Sequence, residues 1–277
     1  LFRPDRNAKR MTSSAAYLDM PAPSEELFIE MCVRCVKENI DYLPPYEASG
    51  ASLYLRPVLF GINPQLGIHS AKDVMFAVMC SPVGTYSGAK ILTPGNAVIS
   101  RNYGRAATYG SGCYKIGGNY AQSLHAYNLA HNTGYRELLF LDTATKTTIE
   151  EFGSSNFFAI KGNTYITPRS KSILPSITNL SLRTVAADMG LDVEIRPIRV
   201  EELAEMDEVN SCGTAVVITP INCIDDKPAL ECPDVSRRYR IPSGENCGAT
   251  SRKLYEHIIG IQKGLEEDIH DWCLSID

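Results

Sequence analysis

The sequence predicts a mixed α+β fold rather than a sheet built from regular βαβ repeats. Apolar residues recur at helical spacing in some segments and form short continuous runs, typical of buried strands, in others. These segments follow one another without strict alternation, which argues against a doubly wound parallel sheet. The chain has 277 residues, 44% of them hydrophobic, which is enough for one large domain or two smaller ones.

The first third of the chain contains one predicted helix and two predicted strands. Residues 24–42 place large apolar side chains on one helical face, and Pro44 and Pro45 follow as a stop. Residues 51–61 and 73–83 are apolar runs that predict strands.

A turn-rich stretch with two prolines, residues 81–95, separates this part from the rest of the chain. We therefore predict a small N-terminal domain over 1–82, an interdomain linker over 83–95 and a larger domain over 96–277.

The larger part mixes strands and helices. Predicted strands cover 96–106, 137–142, 156–161 and 215–224, and predicted helices run from about 120 to 131, from 174 to 189 and from 251 to 265. The runs at 137–142 and 156–161 flank a threonine-rich turn, a pattern that predicts a hairpin. A turn is expected at Asp225 and Asp226.

Composition excludes several functional classes. The net charge of −5 argues against a nucleic-acid-binding protein, which would normally be basic. No apolar stretch approaches the roughly 20 residues that cross a membrane. Nine scattered cysteines are too few for a disulfide scaffold and indicate a reducing compartment. We expect a cytoplasmic protein, with the mitochondrion left open because a natural N-terminus can lie upstream.

A glycine-rich loop, residues 109–120, is the first candidate for chemistry. It lacks the residues that flank the lysine of a Walker A loop and the GxGxxG spacing of a dinucleotide fold. Two interpretations of Lys115 remain: a solvated loop residue, or a lysine held where a ligand lies against Gly117 and Gly118.

Other patterns are ambiguous when taken alone. Cys32 and Cys35 have CxxC spacing but no second ligand pair, so core packing is favoured, and no metal site is predicted. The pair 150–151 is typical of an exposed strand end. Thr178 and Thr214 each open a segment with free backbone N–H groups, which is an anion site or simply a cap.

Taken together, seven strings in the sequence point to one family. In chain order they are FRPDRNAKRM, LYLRPVLFG, SPVGTY, KIGGNYAQS, EEFGSSNFF, ILPSITNLSLR and GTAVVITP. The chain resembles the branched-chain amino acid aminotransferases, which belong to the D-alanine-aminotransferase-like group of pyridoxal phosphate (PLP) enzymes. The resemblance covers nearly all of the chain.

The resemblance implies PLP fold type IV, with a small N-terminal α/β domain and a larger domain in which a pseudo-barrel of strands is flanked by helices. The family has a further segment before the equivalent of Leu1, which supplies strands of the small domain and part of the substrate pocket. We therefore expect several tens of further residues to be encoded, without which substrate specificity would fail before PLP binding.

The resemblance also implies a role for individual residues. Lys115 matches the lysine that forms the Schiff base with PLP and then carries the Cα proton. Tyr120 matches the tyrosine that binds the 3′ oxygen of the cofactor. Glu151 matches the carboxylate that faces the pyridine nitrogen.

The remaining matches concern the phosphate and the substrate. The phosphate-binding positions are Arg10, Ile177, Thr178 and Thr214. The substrate-binding positions are Tyr54, Arg56, Tyr86 and the backbone N–H groups of Thr214 and Ala215. The CxxC of mammalian members would fall within GTAVVIT, where Val216 and Thr219 stand, so no redox switch is implied there.

The expected reaction is transamination between leucine, isoleucine or valine and 2-oxoglutarate by a homodimer. Its expected partners are small molecules, namely amino acids and 2-oxo acids, and no nucleic acid or membrane is expected. Two alternatives stay open. A D-amino acid aminotransferase or an aminodeoxychorismate lyase would share the fold, and a non-catalytic relative would keep the fold without the reaction.

Overall fold

The computed structural model describes residues 1–46, 48, 50–84, 91–244 and 246–276. It divides the chain into two compact units, Leu1–Ile91 with Ile261–Asp277, and Leu92–Gly260. The end of the chain therefore packs with its beginning, which no local sequence pattern predicts.

The first unit contains two helices and a two-stranded antiparallel sheet. They are α1 (Pro4–Tyr17), α2 (Glu25–Lys37), β1 (Ser52–Gly61) and β2 (Val74–Val83). The two predicted strands are confirmed, with β1 and β2 paired along their full length.

Helix α2 is shorter than the predicted 24–42. It begins after Ser24, whose hydroxyl accepts the N–H of Leu27 at 3.2 Å, a normal N-cap. It ends at Lys37, and residues Ile40–Tyr42 form a separate turn of 3₁₀ helix. Cys32 packs with Ala8 and Phe28 in a small apolar core, as core packing of the CxxC pair requires.

The end of the chain anchors the start of α1. The N–H of Arg3 donates to the carbonyl of Trp272 at 2.7 Å, and the N–H of Leu274 donates to the carbonyl of Leu1 at 2.8 Å. The Arg3 guanidinium lies 4.8 Å from the Trp272 ring centroid, at cation–π distance. These contacts hold the helix that carries Arg10.

The second unit is a nine-stranded mixed sheet with helices. Its strands are β3 (Gly95–Ser100), β4 (Glu137–Leu141), β5 (Ile149–Phe152), β6 (Asn156–Lys161), β7 (Thr164–Pro168), β8 (Asp192–Arg196), β9 (Glu208–Gly213), β10 (Val217–Asp226) and β11 (Arg237–Arg240). Their order is β5-β4-β3-β10-β9-β6-β7-β8, with β11 paired to β10. The helices are α3 (Gly117–Asn132), α4 (Ile177–Asp188) and α5 (Ala249–Gln262).

The predicted hairpin between 137–142 and 156–161 is wrong. Strand β4 pairs with β5, and β6 pairs with β7 and β9. The reason is the Asp142 carboxylate, which accepts the N–H groups of Thr145 at 2.7 Å and Thr148 at 3.0 Å. This tight turn sends the chain back at once, so the returning partner of β4 is β5.

Two other predicted bounds change. The strand expected over 96–106 ends at Ser100, and the strand expected over 215–224 runs from Val217 to Asp226. Asp225 and Asp226 are therefore strand residues rather than a turn, and their carboxylates pair with Arg238 and Arg101.

The sheet must curl, because β5 and β6 are separated by four strands in the sheet order. Only residues 153–155 join them, a link that reaches at most about 14 Å. Five flat strand spacings would cover about 24 Å. The β5 edge therefore returns towards β6, and the rings of Phe152 and Phe157 stack with centroids 5.8 Å apart.

The curled sheet encloses the main apolar core. Its buried side chains come from strands that are distant in the chain, among them Ile99, Leu139, Phe157, Val209 and Ile221. A second cluster packs α3 against β3 and β4 through Ala126, Ala130 and Leu138. No helix among the described residues has the length and apolar character needed to span a bilayer.

Candidate active site

The loop before α3 is clamped by the first turn of that helix. Buried Asn119 donates its side-chain amide to the carbonyls of Ser111 and Tyr114, both at 2.8 Å. Its side-chain oxygen accepts the Ser111 hydroxyl at 2.6 Å. Three hydrogen bonds within nine residues therefore fix the path of the backbone that carries Lys115.

The Lys115 amine has a defined partner. Its Nζ donates to the hydroxyl oxygen of Tyr120 at 2.6 Å. A Cβ added at Gly117 or Gly118 would meet nothing within 4 Å, so the space beside this loop is open. Lys115 is exposed although its amine has this partner, so both interpretations of Lys115 stay open.

Glu151 is buried, so the exposed strand end expected at 150–151 is wrong. Its Oε1 lies 2.6 Å from an Arg105 guanidinium nitrogen and accepts the N–H of Leu174 at 3.0 Å. Its Oε2 accepts the Asn156 amide at 2.8 Å. The curl of the sheet covers this strand edge, which in a flat sheet would face water.

Arg105 is the buried cation of the site. Besides Glu151, it donates to the carbonyls of Gly112, at 2.9 Å, and Ser172. A Cβ at Gly112 would overlap the Ser172 carbonyl, so only glycine allows the two segments to approach this closely. Arg105 therefore connects its own segment and the backbone at Gly112 and Ser172 to the Glu151 carboxylate.

Burial raises the pKa of Glu151 to about 7. The charge of Arg105, the Leu174 N–H and the more distant charge of Lys115 oppose this rise by stabilising the anion. The same residue can therefore hold a negative charge near neutral pH only because its donors and cations are in place.

An open cavity borders both Tyr120, the partner of Lys115, and the buried Glu151. It is lined by Arg105, Tyr114, Tyr120, Glu151, Asn156 and Leu174, among others. Ser155 also lines it, and the buried Ser155 hydroxyl oxygen has no hydrogen-bond partner among the described residues. A buried polar atom in this position is expected to bind something that enters the cavity.

The start of α4 lies close to the same cavity. The Ser176 hydroxyl caps the helix by accepting the N–H of Asn179 at 3.1 Å. Ile177 and Thr178 are the first helical residues, so their N–H groups have no acceptor within the helix. Leu174, three residues earlier, lines the cavity, which places the anion-attracting end of α4 beside it.

The turn between β9 and β10 approaches the cavity from another side. Thr214 and Ala215 are exposed in this turn. A Cβ at Gly213 would lie 3.7 Å from the Cβ of Ser155. Val217 has a φ of 58°, an unfavourable value for a β-branched residue, so the turn is strained next to the site.

Comparison with known proteins identifies the family. A family model described as amino-transferase class IV matches residues 1–224. The chain belongs to this family. The family predicted from the seven sequence strings and the mixed α+β fold predicted from the order of the elements are therefore confirmed.

Individual relatives of this class IV aminotransferase agree. The chain is 41% identical over 278 residues to the branched-chain-amino-acid aminotransferase of Helicobacter pylori, covering 100% of this chain and 78% of that protein. It is similar to the solved Escherichia coli branched-chain amino acid aminotransferase, with 28% identity, a TM-score of 0.79 and coverage of 100% and 84%. The fold is also that of the Thermobaculum terrenum branched-chain amino acid aminotransferase in its PLP form, with 23% identity, a TM-score of 0.82 and coverage of 100% and 83%.

Four predicted site residues of this aminotransferase lie outside the second unit or outside the described residues. Arg10, on α1, donates to the side chain of Asn7 at 3.0 Å. Arg56, on β1, donates to the Tyr54 hydroxyl at 3.3 Å and lies 5.2 Å from its ring centroid. Tyr86 lies outside the described residues. The roles of these residues towards cofactor and substrate remain predictions.

Sequence reasoning missed the residues that support the charged groups. Arg105, Asn119, Asn156 and Ser155 carry no pattern that marks them, although each contacts or lines the site. Their position within the matched strings or just before the lysine loop is the one signal the sequence offers. Arg105 lies 46 residues before its carboxylate partner, too far for a spacing rule to connect them.

Proposed function

We propose that this protein is a PLP-dependent aminotransferase that moves the amino group between branched-chain L-amino acids and 2-oxoglutarate. The observation that carries the proposal is the presence of two interactions beside one cavity of a class IV aminotransferase. They are the Lys115–Tyr120 hydrogen bond and the buried Glu151–Arg105 ion pair. Relatives that align over the whole chain are named branched-chain-amino-acid aminotransferases.

The residues of the cavity fit PLP. An aldehyde needs an amine, and Lys115 provides one. A protonated ring nitrogen needs a buried carboxylate, and Glu151 provides it. The unpartnered Ser155 hydroxyl and the first N–H groups of α4 suit polar substituents and a phosphate.

When bound, PLP supplies an electron sink for the electron pair left as the substrate Cα loses its proton. The Lys115 amine would hold the cofactor covalently, and as a free amine it would take the proton from the substrate Cα and return it. The Tyr120 hydroxyl, 2.6 Å from Nζ, orients the amine and polarises it through their hydrogen bond.

Glu151 holds the proton at the ring nitrogen. Three donors already satisfy part of the carboxylate, yet two oxygens offer about four acceptor positions, so one remains for a ring N–H. Arg105 keeps the carboxylate charged although it is removed from water.

Anion recognition completes the proposal. By the family resemblance, Arg10, Ile177, Thr178 and Thr214 are the candidates for phosphate binding, and the N–H groups of Thr214 and Ala215 are the candidates for binding the substrate α-carboxylate. By the family resemblance, Tyr54, Arg56 and Tyr86 are the candidates for substrate contact, with Arg56 as the candidate partner of the γ-carboxylate of glutamate. We also propose a homodimer, and the nine free cysteines support a reducing compartment such as the cytoplasm.

The test is chemical trapping followed by a substrate panel. After incubation with PLP and borohydride, mass spectrometry should locate one covalent adduct, on Lys115. Lys115→Ala should abolish the adduct and lower leucine-to-2-oxoglutarate turnover at least about 10²- to 10⁴-fold. Lys171→Ala, a matched change at an exposed lysine of the same unit, should leave both unchanged.

An adduct that persists in the Lys115→Ala protein would contradict the assignment. Turnover of D-alanine or aminodeoxychorismate in preference to leucine would favour the alternatives with the same fold. A bound cofactor without turnover of any substrate would favour a non-catalytic relative.

A further inference from the structure

Two adjacent buried glutamates share one arginine. Glu150 and Glu151 on β5 are 2% and 3% exposed, and Arg105 is 6% exposed. The guanidinium is 2.6 Å from Glu151, and its charge also acts on Glu150. The proposed function uses Glu151 and Arg105 but gives no role to Glu150.

The hydrogen bonds of the two carboxyl groups are unequal. Glu151 accepts three donors, one of them cationic. Glu150 accepts the Ser170 hydroxyl, at 2.8 Å on Oε1, and its buried Oε2 has no hydrogen-bond partner among the described residues. The nearby Ser172 hydroxyl donates to the Ala107 carbonyl at 3.5 Å and also acts weakly on Glu150, lowering its pKa.

This inequality decides where a charge can be held. A buried ionised oxygen without a donor loses its hydration and receives nothing in return, whereas a neutral carboxylic acid loses much less. Two ionised glutamates beside one guanidinium would also leave a net negative charge in the interior. One proton on the pair makes the cluster neutral.

We propose that the two carboxyl groups of the Glu150–Arg105–Glu151 cluster retain one proton at neutral pH and that Glu150 carries it. Neutral Glu150 is then a positioning residue: Arg105 pairs with Glu151, and Glu151 holds the negative charge. The position of the proton follows from the carboxyl pair alone. Its effect on the cofactor ring rests on the proposed function.

The groups that face Glu150 act in both directions. Burial also raises the pKa of Glu151, and the charge of Glu150 adds to that rise, so the two carboxyl groups compete for the proton and the three donors on Glu151 decide the competition. Burial raises the pKa of Glu150, Arg105 and the serine hydroxyls lower it, and Asp142 at the end of β4 raises it. Although burial opposes ionisation of Asp142, the N–H and hydroxyl groups of Thr145 and Thr148 hold its pKa well below the usual range. Asp142 therefore stays negative and repels a second charge on Glu150.

Infrared spectroscopy of the PLP-free protein tests where the proton lies. At pH 7 the wild type should show the carbonyl stretch of a buried protonated carboxyl group, and Glu150→Gln should remove it. Glu137→Gln, at another glutamate whose pKa burial raises to about 7, is the matched control and should leave the Glu150 band in place. Ser170→Ala should shift the frequency of the band, because it removes the hydrogen bond to Oε1.

A protonated-carboxyl band whose intensity at pH 7 is the same in Glu137→Gln/Glu150→Gln as in Glu137→Gln alone overturns the proposal. If the double variant fails to fold, a band that does not respond to Ser170→Ala overturns it equally. In the PLP-loaded protein, Glu150→Gln mimics the neutral acid and should change PLP affinity by no more than about twofold. A loss of PLP as complete as in Glu151→Gln would show that Glu150 holds the charge, and overturn the assignment.

The two proposals fail in different ways. If PLP does not bind the wild type but the band disappears in Glu150→Gln, the proposed function fails and the proton assignment stands. If PLP binds at Lys115 but the band does not depend on Glu150, the proton assignment fails and the function stands.

Discussion

Replacing Arg105 by methionine should destabilise the protein in a way that depends on pH. Methionine keeps most of the volume and removes the cation that is paired with buried Glu151. Removing one partner of a buried ion pair costs about 3–5 kcal/mol, because the other charge stays buried without compensation. The carbonyls of Gly112 and Ser172 also lose their donor, so the upper part of that range is expected at pH 8.5.

The loss should be smaller at pH 5.5. The pKa of Glu151, about 7, is raised above the ordinary value of a glutamate, so the carboxyl can bind a proton in the folded state there. A neutral Glu151 does not need the arginine, and only the lost hydrogen bonds remain, worth about 1–3 kcal/mol. Removing Arg105 raises the pKa of Glu151 further, so the electrostatic stabilisation from Arg105 is small below pH 7 and grows as the pH rises above that value.

Chemical denaturation of the PLP-free protein at the two pH values measures this difference. Lys161→Met is the control, since the Lys161–Glu205 pair has side chains that are 48% and 59% exposed, and its loss should cost about 1 kcal/mol or less. In the double variant Arg105→Met/Glu151→Gln, removing the Glu151 charge should restore part of the unfolding free energy that Arg105→Met removes. Equal destabilisation by Arg105→Met at both pH values, or strict additivity in the double variant, would refute the electrostatic reasoning.

Three further changes test other parts of the site. Asn119→Ala removes three hydrogen bonds from the lysine loop and should slow covalent attachment of PLP, measured by borohydride trapping over time. Ser176→Ala and Ser24→Ala each remove a helix N-cap worth about 1 kcal/mol, but only the former should weaken binding of inorganic phosphate, measured by calorimetry. Gly112→Ala places a methyl group against the Ser172 carbonyl and should strongly lower the midpoint of thermal unfolding. Gly118→Ala, whose methyl group would face open space, should not lower it, and similar midpoints for the two variants would contradict the close approach at Gly112.

Local patterns predicted the elements whose apolar faces are regular. Helices α2, α4 and α5 and strands β1 and β2 lie where the sequence periodicity places them, within a few residues. Helix α1 was not predicted, because its buried residues are Ala8, Ser14 and Ala15, which do not form a strong apolar stripe.

The parts that sequence could not predict depend on contacts between distant segments. A pattern shows that 149–152 can be a strand, but only the curl of the sheet makes Glu151 a buried residue. Arg105 comes from a loop after β3, and its pairing with β5 follows from the assembled sheet. The family resemblance marked Glu151 without this geometry, and it did not mark Arg105.

The site therefore combines two kinds of structural support. The lysine loop is fixed by Asn119, only a few residues along the chain, so its conformation is encoded locally and can be changed with a limited effect on the core. The charge of Glu151 is fixed by Arg105 and Leu174, which are brought to it by the folding of the whole sheet. Substitutions in the first group should alter the rate of PLP attachment more than stability. Substitutions in the second should alter both together, because the same ion pair that keeps the carboxylate charged also joins the segments that form the cavity.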